Sequence, residues 1–141
     1  MRPLVVDASV WVSALDRTEV RSDAARAFLG AVGAGRHPIA LPEYAEIEVT
    51  CALSRRLRDT GQGRLIARQA LDSPLITWHG LTRRMVRRAV AVGTQRFLRS
   101  GDALYAAVAE AVGGEIVSWD EELVSRAGAV TPETWTARHT V

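Results

Sequence analysis

Short apolar runs alternate along the chain with longer segments in which apolar residues recur at helical spacing. The first run, Leu4-Val5-Val6, has the length and composition of a buried strand, and the pattern from Ala8 to Leu15 is helical. Strands are predicted over 4–6, 37–41, 74–78 and 115–118, with a short edge strand at 129–130. Helices are predicted over 8–15, 22–32, 42–58, 64–71, 81–98, 102–112 and 120–126. Strands that alternate with helices predict an α/β fold, a three-layer sandwich with a mostly parallel central sheet.

Individual residues predict where several of these helices begin. Ser22 or Asp23 is expected to cap the second helix, because short polar side chains accept hydrogen bonds from its first free N–H groups. Pro42 is expected to open the third helix, because proline suits the first helical turn. The two glycines of the segment 60–63 predict a turn before the fourth helix.

The whole chain, residues 1–141, is predicted to be one domain, since it contains no repeat, no low-complexity segment and no linker long enough to divide it. Its composition, 48% hydrophobic and 24% charged, argues against disorder. Cys51 is the only cysteine, so an internal disulfide is excluded and no cysteine–histidine zinc cluster is expected. The N-terminus lacks the features of a signal peptide, and no stretch reaches the roughly 18 apolar residues of a membrane span. A cytoplasmic protein is therefore expected.

Positive charge is concentrated in the middle of the chain. Residues 55–99 contain eleven arginines and only two acids, whereas the rest of the chain is net acidic. Four of the arginines share one face of the helix predicted over 81–98, namely Arg83, Arg84, Arg87 and Arg88. Arginine binds phosphate through paired N–H groups. Arg84 and Arg88 are therefore candidate contacts to a nucleic-acid backbone, although a solvated helix face has the same pattern.

Three aspartates stand where helices are predicted to begin: Asp7, Asp102 and Asp120. Two of them, Asp7 and Asp120, also come just after predicted strands. Because ligands of parallel α/β sheets bind outside the carboxyl ends of the strands, both belong at the edge where a site is expected. Aspartate is also a good helix N-cap, so each aspartate taken alone has a second explanation.

A glutamate inside the helix predicted over 42–58 is a fourth candidate. Glu48 borders the apolar stripe of this helix on one side and Glu46 borders it on the other, so periodicity does not choose between them. Carboxylates gathered at one edge raise one another's pKa values, and a bound cation relieves their repulsion. Magnesium binds carboxylates together with water and phosphate oxygens, and two such ions about 4 Å apart support phosphodiester cleavage.

Four segments of the chain resemble, in order, the motifs of PIN domains. They are Leu4-Val5-Val6-Asp7-Ala8-Ser9, Glu48-Val49-Thr50-Cys51-Ala52-Leu53, Asp102-Ala103-Leu104-Tyr105-Ala106-Ala107-Val108-Ala109 and Ile116-Val117-Ser118-Trp119-Asp120. Their order and spacing agree with the family over nearly the whole chain, and the resemblance selects Glu48 rather than Glu46. Ser118 is a mild departure, since the family usually has threonine there. A hydroxyl is retained, and its hydrogen-bonding role is expected to survive.

The resemblance implies a magnesium- or manganese-dependent endoribonuclease similar to the VapC toxins of type II toxin–antitoxin pairs. Such toxins are usually dimers held inactive by a small antitoxin, so the expected partners are RNA, a cognate antitoxin and a second copy of the chain. The resemblance also implies that Asp7, Glu48 and Asp102 hold the metal directly or through water, and that Asp120 completes the outer part of the site. Ser9 and Ser118 would orient carboxylates or water.

Two other interpretations fit part of the sequence. A phosphohydrolase with a nucleophilic aspartate would place Asp7 after a strand, but such enzymes usually have an acid two residues later and a lysine downstream. This chain has Ser9 at that position and contains no lysine. A catalytically silent PIN-like module that binds RNA or protein would not need all four acids. It should also show no dependence on divalent cations, which a metal titration would reveal.

Overall fold

The computed structural model describes residues 1–139 and contains a four-stranded sheet in which every strand pairing is parallel. The strands are β1 (Leu4–Val6), β2 (Ile39–Pro42), β3 (Ile76–His79) and β4 (Glu115–Val117), arranged in the order β3-β2-β1-β4. Eight helices lie in the described part of the chain: α1 (Ala8–Leu15), α2 (Ser22–Ala34), α3 (Tyr44–Leu57), α4 (Thr60–Leu71), α5 (Arg83–Arg96), α6 (Ser100–Val112), α7 (Glu121–Ala127) and α8 (Pro132–His139).

Helices cover both faces of the sheet, as a buried parallel sheet requires. Helix α6 packs across β1, β2 and β4, and α5 packs on α6. Helix α1 contacts α2 and α3, and α4 packs on α3. Strand β1 is buried along its whole length at the centre of these layers. The prediction of a three-layer α/β sandwich with a parallel sheet is therefore confirmed.

Two predictions about the region around α3 are wrong. Pro42 does not open α3 but ends β2 opposite His79, where the backbone N–H of Glu43 donates to the His79 carbonyl at 2.9 Å. Proline is tolerated because its neighbour supplies the donor at this point of the ladder. The segment 60–63 is not a turn but the start of α4, because Asp59 caps that helix by accepting from the N–H of Gln62.

Close packing of α4 against α3 explains why position 63, which was predicted to lie in a turn, is a glycine. A Cβ atom added to Gly63 would lie 2.3 Å from the hydroxyl oxygen of Ser54 on α3. The absence of a side chain at Gly63 thus lets α4 pack directly against α3. Gly63 therefore allows two helices to pack closely and does not form a turn.

The ends of other elements also differ from prediction. Arg21, and not Ser22 or Asp23, occupies the N-cap position of α2, where no side chain caps the helix. The predicted edge strand at 129–130 is reduced to a single parallel bridge between Val117 and Val130. None of the described helices is long and apolar enough to cross a bilayer.

Helix α8 was not predicted. Trp135 is fully buried in the first half of this helix, and its ring packs edge-on against Phe28 of α2 with centroids 5.2 Å apart. Arg138 donates to both carboxylate oxygens of Glu115, at 2.9 and 3.0 Å, which ties α8 to β4. These contacts with distant parts of the chain determine the position of the helix.

Candidate active site

The candidate site lies where the order of the sheet reverses. From β1 the chain adds β2 and β3 on one side, and β4 then pairs with the other side of β1. Ligands of open α/β sheets bind at the carboxyl end of such a switch point. Asp7 directly follows β1, and its backbone N–H donates to the carbonyl of Val117 at the end of β4. The sheet therefore brings the ends of β1 and β4 together.

The carboxylate of Asp7 is held by two hydroxyl groups. Asp7 occupies the N-cap position of α1, yet its side chain makes no cap hydrogen bond. Its Oδ2 atom accepts from the hydroxyl of Ser9 at 2.7 Å and from that of Ser118 at 2.8 Å, and the residue is only 6% exposed. Helix capping thus does not account for this buried acid, whose orientation is fixed by side chains from α1 and the end of β4.

The segment after β4 is fixed by a buried indole. Trp119 packs inward, and its Nε1 atom donates to the hydroxyl of Ser13 on α1 at 2.9 Å. The N–H of Asp120 in turn donates to the Ser118 hydroxyl at 2.9 Å. These contacts hold Ser118 beside Asp7 and place Asp120 at the start of α7.

Glu48 reaches the site from the second turn of α3. Its Oε1 atom accepts from the hydroxyl of Tyr105 on α6 at 2.7 Å. A Cβ atom added to Gly101 would lie 3.7 Å from the other oxygen, so α6 approaches Glu48 through a residue without a side chain. Glu46 is exposed and instead lines a groove between α3 and α4. The structure therefore brings Glu48, and not Glu46, to the aspartates.

The electrostatics of Glu48 reflect this crowding. Burial raises the pKa of its carboxyl above the ordinary value of 4.5, and the charges of Asp7 and Asp102 raise it further, while the Tyr105 hydrogen bond opposes the rise. Burial and the Glu48 charge raise the pKa of the Tyr105 hydroxyl. Tyr105 consequently remains protonated and able to donate to Glu48.

Asp102 does not cap α6, contrary to prediction, because that helix begins two residues earlier, at Ser100. Asp102 instead lies in the first turn and is half-buried. Burial raises the pKa of its carboxyl, and the charge of Asp120 acts in the same direction, against a lowering by Arg99. Mutual repulsion among the acids is thus a property of the folded site.

Asp120 has two roles, one for each oxygen. Its Oδ1 atom accepts from the backbone N–H groups of Glu122 and Leu123 at 2.8 and 3.3 Å, so the predicted cap of α7 is confirmed. Its Oδ2 atom is paired with the guanidinium of Arg99. Asp120 therefore lies at the rim of the site and begins a helix at the same time.

Three neighbours of the site were missed by sequence reasoning: Arg99, Tyr105 and Glu122. Oxygens of Asp102, Asp120 and Glu122 lie within 4.8 Å of one another, which is close enough to share a cation. Tyr105 lies inside a segment already singled out, three residues after Asp102 and so on the same helix face. No local pattern distinguished Arg99 or Glu122 from other exposed charged residues.

The donor set fits a hard divalent cation. Within residues 1–139, no side chain or backbone group donates to Asp7 Oδ1, Glu48 Oε2 or Asp102 Oδ1, although the second oxygen of each carboxylate has a donor. Carboxylate oxygens are the ligands that Mg²⁺ and Mn²⁺ prefer. The residues present thus offer three fixed carboxylates, each with an oxygen free to bind a metal.

Comparison with known families agrees with this geometry. The family profile described as the PIN domain matches residues 4–129. The chain belongs to the PIN domain family. The match spans all four strands of this PIN domain and all four acids, and it ends before α8. No curated protein is similar enough in sequence to the chain to count as a relative.

Solved structures with the same fold cover nearly all of this PIN domain. PAE2754 from Pyrobaculum aerophilum is 22% identical, with a TM-score of 0.73 over 98% of this chain and 89% of that chain. VapC20 from Mycobacterium tuberculosis, a toxin that cleaves the sarcin–ricin loop, is 20% identical, with a TM-score of 0.73 over 90% and 96%. A toxin–antitoxin complex from Klebsiella pneumoniae includes a chain 19% identical, with a TM-score of 0.66 over 92% and 97%. These likenesses show that the fold is shared.

The raised pKa of Glu48 predicts a stability effect. In the metal-free protein, Glu48→Gln should raise the melting temperature at about pH 7 and lose this advantage near pH 4. A carboxyl whose pKa is raised by folding stabilises the fold while it is protonated, below its unfolded pKa, and this stability is lost as pH rises through the folded pKa. Glutamine avoids that loss and still accepts the Tyr105 hydrogen bond. Thermal denaturation across this range, with Glu46→Gln as the exposed control, measures the effect. A lower melting temperature for Glu48→Gln at neutral pH would contradict it.

Proposed function

We propose that the protein is a metal-dependent endoribonuclease that acts as the toxin of a type II toxin–antitoxin pair. The observation that carries this proposal is that Asp7 and Asp102 lie close enough to Glu48 for their charges to raise its pKa, and that Asp102 lies beside Asp120. Asp7, Glu48 and Asp102 also each have an oxygen with no donor among the described residues. Membership of the PIN family supports nuclease chemistry. VapC20, which shares the fold and cleaves the sarcin–ricin loop, supports RNA as the substrate class.

The four acids take two different parts in the proposed reaction. Asp7, Glu48 and Asp102 would hold the ion directly or through water, and Asp120 would complete the outer side of its shell. A bound Mg²⁺ or Mn²⁺ supplies the Lewis acidity that lowers the pKa of a water and stabilises the leaving oxygen of a phosphodiester. The protein must therefore keep its carboxylates ionised and in fixed positions.

Neighbouring hydroxyl groups serve this purpose. Ser9 and Ser118 donate to one oxygen of Asp7 and fix its orientation while the second oxygen is left for the ion. Tyr105 does the same for Glu48, and its hydrogen bond favours the charged form of that carboxylate. Fixed ligands of this kind reduce the reorganisation needed when metal and substrate bind.

The proposed partners follow from the same comparisons. A cognate small antitoxin is supported by the toxin–antitoxin complex that shares the fold. Homodimer formation remains a prediction from the family resemblance, and measurement of the molecular mass in solution tests it. Because the proposed substrate is RNA, we place the activity in the cytoplasm.

Removal of divalent metal tests the proposal directly. Purified protein should cleave RNA in Mg²⁺ or Mn²⁺, stop in excess chelator and recover when the metal is restored, because the carboxylates alone lack the Lewis acidity that activates water. Gel analysis of a labelled structured RNA provides the measurement. Cleavage that continues unchanged in chelator would contradict the metal mechanism. RNA binding without cleavage in any metal would favour the silent module.

The arginine face of α5 should contribute to RNA affinity. Arg84 is exposed and Arg88 half-exposed, and neither forms an ion pair within the part of the chain that the structure describes. Helix α5 follows the parallel strand β3, so Arg84 in its first turn lies at the carboxyl edge of the sheet, where the acids also lie. Both side chains are therefore free to meet phosphates that approach the site.

The double substitution of Arg84 and Arg88 by alanine should flatten the dependence of log affinity on log salt by about 1.4, since each phosphate contact to a single strand contributes roughly 0.7. Titration of labelled RNA at several salt concentrations measures this slope. Arg17 and Arg26, exposed arginines on α2 and the segment before it, provide the control pair. An unchanged slope, with weaker assembly of the dimer or of the antitoxin complex, would assign the face to protein contacts.

A further inference from the structure

Arg99 is the basic residue that contacts all three acids at the rim of the site, Asp102, Asp120 and Glu122. It occupies the N-cap position of α6 but does not cap the helix. Its Nε atom donates to Asp102 Oδ2 at 3.2 Å and lies 3.6 Å from a carboxylate oxygen of Glu122. A terminal nitrogen of its guanidinium is paired with Asp120 Oδ2. One guanidinium thus pairs with all three acids whose oxygens converge closely enough to hold a cation, and Glu122 has a second partner in Arg126 at 3.4 Å.

The two sides of these ion pairs differ in how firmly they are held. The Arg99 side chain is 67% exposed, whereas that of Asp102 is 14% exposed and that of Asp120 is 24% exposed. Asp120 is also fixed by the two N–H groups that it caps. Because an exposed ion pair contributes little free energy, the arginine can leave at small cost while the acids stay in place.

We propose that Arg99 is a displaceable counter-ion of the metal site that, once released, binds a phosphate of the RNA. A divalent cation and the guanidinium compete for the negative charge of the same two carboxylates, Asp102 and Asp120, so metal loading frees the arginine. The acids of the site repel the RNA backbone, and a guanidinium at the first residue before α6 offers the paired N–H groups that phosphate prefers. This inference rests on the proposed function.

Metal affinity, measured without RNA, tests the competition. Calorimetric titration with Mn²⁺ should show about fivefold tighter binding for Arg99→Ala than for wild type, the scale expected for the loss of exposed ion pairs. Arg99→Gln, which keeps a long polar side chain but loses its charge, should bind Mn²⁺ as tightly as Arg99→Ala does. Arg96→Ala removes an exposed arginine with no ion pair among the described residues and should change the affinity less than twofold. Equal or weaker Mn²⁺ binding by both Arg99 variants would overturn the inference.

Steady-state kinetics at saturating Mn²⁺ test the phosphate contact. Arg99→Ala should raise KM for single-stranded RNA about fivefold while kcat changes less, because a lost substrate contact weakens binding. Arg96→Ala should keep the wild-type KM. A fall in kcat with unchanged KM would mean that Arg99 only orients the carboxylates, which would overturn the proposed contact. If wild type binds no Mn²⁺, or if Asp7→Asn binds it equally well, the proposed function fails first and the inference fails with it.

Discussion

Asp7→Asn should reduce RNA cleavage at saturating metal by about a thousandfold, which corresponds to roughly 4 kcal/mol of lost transition-state stabilisation. The change removes the charge of a proposed metal ligand and preserves its shape. Asparagine can still accept hydrogen bonds from Ser9 and Ser118 through its carbonyl oxygen, so the fold should be retained. Removal of one of several repelling acids should leave the melting temperature unchanged or higher.

The measurement pairs initial rates with thermal denaturation and Mn²⁺ titration of the same preparation. Asp23→Asn is a matched control, because Asp23 is an exposed acid in the first turn of α2 with no part in the site. Loss of cleavage and of Mn²⁺ binding, with normal melting, would support the ligand role. Wild-type rates in Asp7→Asn would remove Asp7 from the chemistry.

Glu48→Gln should lower the cleavage rate about a hundredfold, whereas Glu46→Gln should change it less than twofold, since loss of one charged ligand weakens metal binding and water activation. The two glutamates lie on the same helix, two residues apart, and the substitutions are chemically identical. Their surroundings differ, because Glu48 contacts Tyr105 and Glu46 faces the groove beside α4.

Cleavage rates over a range of Mg²⁺ concentrations distinguish weaker metal binding from a slower reaction. A defect of Glu48→Gln that high Mg²⁺ partly restores would indicate a weakened metal ligand. Equal and mild effects of the two substitutions would contradict the assignment of Glu48. Melting temperatures are needed as well, since the two residues differ in burial.

The sheet could be predicted from the sequence because its strands are short runs whose hydrophobic character is local. Leu4 to Val6 is buried on both faces, so its residues are uniformly apolar and the following acid is conspicuous. The parallel arrangement then places Asp7 and Asp120 at one edge without further information. Most of the site could be inferred from these rules and from the order of the motifs.

Other features depend on contacts between distant segments. The choice of Glu48 over Glu46 depends on Tyr105, which lies more than fifty residues further along the chain. The packing of α4 on α3 depends on the close approach of Gly63 to Ser54, whereas two glycines in four residues, taken alone, indicate a turn. The sequence does not distinguish Arg99 from the other exposed arginines, because only the folded structure shows that it lies beside Asp120.

The two oxygens of the Asp120 carboxylate have different roles, and this limits the residues that can replace Asp120. One oxygen begins α7 and the other borders the site, so folding and activity both constrain this position. Asp7 and Glu48 cap no helix, and ionisation of the half-buried Glu48 costs stability. A library selected only for cellular abundance would thus retain aspartate, asparagine or serine at position 120 while it accepted neutral residues at 7 and 48. The same library selected for RNA cleavage would retain only variants with an acid at each of the three positions.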